Sequence, residues 1–175
     1  MARRDPLLAA ARVLLIVAMC VTLAGAVTGA VTMPVVLGAP ARVLAWIAEH
    51  GQGTVPPPST PTAIATLLGL LVVMALISFA AQRLLLGLID SVGEGDPFNP
   101  HNARRLARMG WLTLAIQILG VPASALAGWI EYFSGFSRSY FGFSLTGVLL
   151  ALVLFILARV FRQGAAMREE LEGTV

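Results

Sequence analysis

The chain has 175 residues, of which 58% are hydrophobic and 12% charged, whereas a soluble domain carries roughly 25% charged residues. The missing charge is concentrated in apolar windows of the length that crosses a bilayer core about 30 Å thick. Those windows exclude an ordinary soluble domain and predict an all-α integral membrane protein, a four-transmembrane-helix bundle in a single domain. The formal net charge of +3 comes from arginines beside apolar runs, a pattern of membrane anchoring, and no direct nucleic-acid binding is expected.

The first apolar run, about residues 13–37, follows Arg3, Arg4 and Arg12. It is much longer than the apolar core of about 7–15 residues in a signal peptide, so it reads as an uncleaved span. Cys20 lies inside it and cannot form an internal disulfide. Gly25 and Gly29 form a GxxxG pair, which marks a close helix contact within the bundle or between two copies. A homo-oligomer is one consequence considered.

Val43, Leu44, Trp46 and Ile47 suggest a short amphipathic helix at the membrane interface. Gly51 to Pro61 is a proline-rich connector. The second span is about residues 62–81. Arg83 belongs at its cytoplasmic end, from which the helix continues to about Asp90.

The central cytoplasmic loop, about residues 83–108, contains Gly93, Gly95, Pro97 and Pro100, which interrupt any continuous helix. Asn99 followed by Pro100 is a helix start, because Asn caps free N–H groups and Pro suits the first turn. Asp90, Glu94 and Asp96 are expected to meet Arg104, Arg105, Arg108 and Arg162 in a charge network. The third span is about residues 109–130. Gln117 within it reads as an interhelical hydrogen-bonding group.

A short aromatic outer loop follows, carrying Trp129, Tyr132, Phe133, Phe136, Tyr140, Phe141 and Phe143. The fourth span is about residues 144–160, and the cytoplasmic tail about residues 161–175. In the tail, Val160, Gly164, Met167 and Leu171 recur at helical spacing. This stripe either receives a partner helix or loop, or packs against the loop at residues 93–101 or the membrane surface, and the second reading is favoured.

Ten arginines (3, 4, 12, 83, 104, 105, 108, 159, 162 and 168) fall on one side of the spans, and only Arg42 and Arg138 on the other. This bias predicts that both termini are cytoplasmic. His50 and His101 fall on opposite sides and cannot share a metal. No nucleophile motif or phosphate loop is present, so neither an enzyme nor a cofactor is expected.

Two segments carry a family resemblance. One is Gly95-Asp96-Pro97-Phe98 with Asn102, Arg104 and Arg105. The other is Phe161-Arg162-Gln163-Gly164 with Met167, Arg168 and Leu171. With the four spans, they resemble the bacterial membrane family called domain of unknown function 2975. Members of that family are often encoded beside a small helix-turn-helix regulator of the Cro/repressor type. The resemblance therefore implies a multi-pass protein of the bacterial cytoplasmic (inner) membrane, acting as a sensor or anchor for such a DNA-binding protein. These residues would form its cytoplasmic docking surface. The alternative is a small transporter or channel component.

Overall fold

The structure, a computed structural model, describes residues 6–51, 55–95, 97–134 and 142–172. The described residues form five helices: α1 (Pro6–Gly38), α2 (Pro40–His50), α3 (Thr60–Gly93), α4 (Pro100–Ser134) and α5 (Leu145–Glu172). Four of them, α1, α3, α4 and α5, are long and apolar enough to cross a membrane. They run to 33, 34, 35 and 28 residues, against about 20 needed for a bilayer core. The surplus lies in the ends. α3 continues unbroken through Arg83 to Gly93, and α5 joins the fourth span and the tail in one helix.

One side of α1 is packed and the rest is open. Leu8, Ala11, Leu15, Ala18, Thr22, Ala26, Gly29, Met33 and Val36, with Met19 beside Ala18, are its less exposed positions. They recur every three or four residues, the seam of two helices packed at a shallow angle. Val13, Leu14, Val17, Val21, Val27, Val31 and Val35 are exposed. An apolar surface this extensive belongs against lipid. Several hydroxyl groups are satisfied inside their own helices, as the bilayer demands. Thr28 donates to the Ala24 carbonyl at 2.9 Å, Thr32 to the Thr28 carbonyl at 2.7 Å and Thr113 to the Met109 carbonyl at 2.9 Å.

Contacts divide the chain into two units. One comprises residues 22–76 and 116–143. In it, a Cβ on Gly29 would come within 2.9 Å of Val72 Cγ2, so α1 and α3 approach closely there. A Cβ on Gly25 would have nothing within 4 Å. The expected short helix is α2, begun by Pro40 and fixed by the buried Ile47. Trp46 is exposed and stacks on His50, with ring centroids 4.9 Å apart. Trp129, Tyr132 and Phe133, expected in a loop, instead lie on the last turns of α4 and pack edge to face. Arg138, Phe136, Tyr140 and Phe141 lie outside the described residues, as do Arg3 and Arg4.

The other unit comprises residues 1–21, 77–115 and 144–175. Its core is Leu106, Met109, Leu154 and Ala158, flanked by Leu84, Leu85, Leu88, Ala107 and Phe161. Ala151, Ala158 and Ala165 are all buried on α5. Their seven-residue spacing keeps one thin edge of that helix against its neighbours. Gly110 of α4 serves the same purpose: a Cβ there would lie 2.8 Å from Phe155 Cε1. Every sequence-predicted site residue belongs to this unit.

Candidate functional site

The site grows from the end of α3. Glu94 N–H donates to the Asp90 carbonyl at 3.0 Å, and Gly95 N–H to the Val92 carbonyl at 3.1 Å, closing the last turn. Gly95 has φ 83°, a left-handed conformation that reverses the chain and is costly for any residue with a Cβ. The chain then enters α4 at the expected start. His101 N–H donates to Asn99 Oδ1 at 2.9 Å, an N-cap that places Pro100 at the first helical position.

Asn102 holds this turn in place. It is fully buried. Its Nδ2 donates to Ser91 Oγ at 2.6 Å and to the Pro97 carbonyl at 3.0 Å. Its Oδ1 accepts from Arg105 Nη1 at 2.9 Å. Ser91 in turn donates to the Leu88 carbonyl at 2.8 Å. Arg105 Nη1 also donates to the Gly87 carbonyl at 2.7 Å. Both Asn102 donors and its acceptor are therefore used, which makes burial of the amide affordable. The network ties α3, the loop and α4 into one piece.

Gly87 permits the Arg105 contact. A Cβ there would lie 3.0 Å from the guanidinium carbon. Sequence reasoning missed Gly87 and Ser91. The available signal was that Gly87 is the one small residue in the run Leu84 to Ile89.

Phe98 joins the loop to α5. Its ring centroid lies 5.4 Å from that of Phe161. A Cβ on Gly164 would come within 2.7 Å of Phe98 Cδ1. The missing side chain at 164 is thus the seat of the Phe98 ring, and the two sequence motifs meet. Part of the tail stripe packs on the chain's own loop, as favoured above. Met167 of the same stripe is 60% exposed. Arg168 is exposed as well, whereas Leu171 lies within α5 and its side chain is outside the described residues.

The charges are arranged differently from the expected network. Asp90 pairs with Arg12 of α1 at 3.4 Å. Arg105 is committed to the Gly87 carbonyl and Asn102, and Arg104 Nη2 lies 3.2 Å from His101 Nδ1. Asp96 lies outside the described residues. The physical reason is register: Asp90 sits near the N-terminal turns of α1, a contact that residue spacing within the central loop does not reveal. Arg104 and Arg162 flank a cleft of about 290 Å³. Among the described residues, no group of three or more His, Cys, Asp or Glu could hold a metal ion.

No curated protein and no solved structure matches this chain. The sequence does match the family described as protein of unknown function (DUF2975), over residues 8–175. The two motifs that pack together at Phe98 and Gly164 lie within that match, and the chain belongs to the DUF2975 family.

Proposed function

We propose that this protein is a four-helix bundle of the bacterial cytoplasmic membrane, with both termini in the cytoplasm. In this reading it is a sensor or anchor for a small helix-turn-helix regulator of the Cro/repressor type. Its role is binding, with no catalytic step. Orientation rests on the arginine bias, to which the exposed Arg83, Arg108 and Arg159 contribute.

The observation that carries the docking reading is the seating of Phe98 on Gly164 beside Phe161. It makes one continuous surface from two motifs far apart in sequence. Beside that contact, the exposed Met167 and Arg162 offer an apolar anchor and a guanidinium group. An apolar residue beside an arginine suits a partner that presents an apolar side chain next to a carboxylate.

Affinity purification from native membranes in mild detergent, with bound proteins identified by mass spectrometry, tests the reading. Stoichiometric recovery of a small DNA-binding protein, lost on deleting residues 164–175, supports it. Recovery unchanged by that deletion removes the tail from the docking surface. Recovery of the protein alone, together with solute transport in liposomes, favours the transporter alternative.

A further inference from the structure

The cleft between the first turn of α4 and the C-terminal part of α5 shares Arg162 with the docking surface and adds residues that the surface beside Phe98 does not use. Pro100, Ala103 and Ala165 supply small apolar walls, and Arg104, Arg162 and Glu169 supply charge. Ala103 and Ala165 are 2% and 6% exposed, so the space exists because both helices present alanine there. Among the described residues, neither Arg104 nor Arg162 is engaged in an ion pair.

Two guanidinium groups from different helices therefore reach one cleft with their charge available. Guanidinium forks match phosphate oxygens through paired N–H donors. The first turn of α4 adds the positive end of a 35-residue helix. Glu169 makes the cleft selective. A bare phosphate dianion meets its carboxylate as a like charge, whereas a ligand joining a phosphodiester to a protonated amine satisfies all three groups. The volume, about 290 Å³, lies just below the usual range for small-molecule pockets, about 300–1,000 Å³. That is the scale of a headgroup.

We propose that this cleft binds an amine-bearing phosphodiester of the phosphoethanolamine type. Its phosphate lies toward Arg104 and Arg162, and its ammonium toward Glu169. The same chemistry is available from a lipid headgroup or from a soluble phosphoethanolamine ester. The inference does not rest on the regulator reading, because its test contains no partner protein.

The experiment uses the full chain, delipidated in detergent and offered equal amounts of phosphatidylethanolamine and phosphatidylglycerol. Retained lipid is counted by native mass spectrometry. Wild type should retain the ethanolamine lipid preferentially. Arg104→Gln with Arg162→Gln should weaken retention of both lipids by roughly tenfold or more. Glu169→Gln should keep lipid binding but lose the preference for the amine. Retention by the arginine double variant equal to wild type, or an undiminished preference in Glu169→Gln, overturns the proposal.

Should the double variant lose its helical circular dichroism, Arg104→Lys with Arg162→Lys replaces it. That variant keeps both charges without the forks and should bind more weakly than wild type. Equal binding overturns the paired-guanidinium arrangement. A soluble arm adds glycerophosphoethanolamine, a water-soluble phosphodiester that carries the same amine. Thermal stabilisation of wild type but not of the double variant, with loss of bound lipid, assigns the site to soluble esters. Stabilisation equal in both proteins overturns the proposal.

Discussion

Phe98 occupies the space that a side chain on residue 164 would need, with Cδ1 2.7 Å from the position of a Cβ on Gly164. Replacing Gly164 with Ala should push the ring, and with it the loop, off α5. The expected cost is about 1–3 kcal/mol, as for other overpacked contacts. Hydrogen exchange should rise over residues 93–99 while the apolar halves of the helices stay protected. A double variant with Phe98→Ala should recover part of the loss, because it vacates the space. If Gly164→Ala alone leaves exchange in the loop unchanged, the seating is wrong.

Asn102→Leu should be among the most damaging single changes in the unit. It leaves the Pro97 carbonyl, Ser91 and Arg105 without their buried partner. An unsatisfied buried group costs about 1–3 kcal/mol, more for a charged one. Asn102→Asp should also destabilise. A carboxylate would suit Arg105 but cannot donate to Ser91 or Pro97. Thermal unfolding in detergent measures both, and an Asp variant as stable as wild type would contradict the donor assignments.

The two glycines of α1 should behave differently. Gly29→Leu collides with Val72 and should loosen the α1–α3 contact, whereas Gly25→Leu enters open space. Thermal unfolding should separate them, with the first variant markedly less stable. If the pair instead joins two copies of the chain, Gly25→Leu will lower the mass measured by light scattering.

Arg12→Ala should change stability by less than about 1 kcal/mol, since its partner is solvated and such pairs are weak. Arg12 and Asp90 side chains are 57% and 38% exposed. Raising the salt concentration should shrink even that difference. A larger loss, insensitive to salt, would mean that the arginine stem contributes by packing.

Labelling settles the direction of insertion. In a Cys20→Ser background, Val55→Cys and Met167→Cys place thiols at exposed positions, which the proposed topology puts on opposite sides of the membrane. An impermeant maleimide added to intact cells should label residue 55, and residue 167 only after the cells are opened. The reverse pattern would overturn the proposed orientation.

The four spans were legible in the sequence because an apolar run of sufficient length has few other stable outcomes. The Asn99–Pro100 start was legible because capping is local. The continuation of α3 past Arg83 was legible as well, expected to about Asp90 and found to Gly93, because Arg is a good helix former and the edge of an apolar run is not the end of a helix. The pairings of Arg12 with Asp90 and of Arg105 with the Gly87 carbonyl stayed hidden. Each depends on the axial register of two helices, which local patterns do not specify. The meeting of Phe98 with Gly164 was foreseen only as a packed loop, since the absent side chain has no hydropathy of its own.

α5 carries no proline and no break between Leu145 and Glu172. It is a rod about 42 Å long, and its lipid-facing part and its tail move as a single lever. Gly164 lies about 18 Å along the axis from Leu152, so a tilt of about 10° around that level swings it by about 3 Å, within the range that bilayer thickness imposes on spanning helices. That swing is comparable to the 2.7 Å between Phe98 Cδ1 and the position that a Cβ on Gly164 would take. A change in the bilayer would reach the loop as a mechanical displacement, with no hinge in α5 to absorb it.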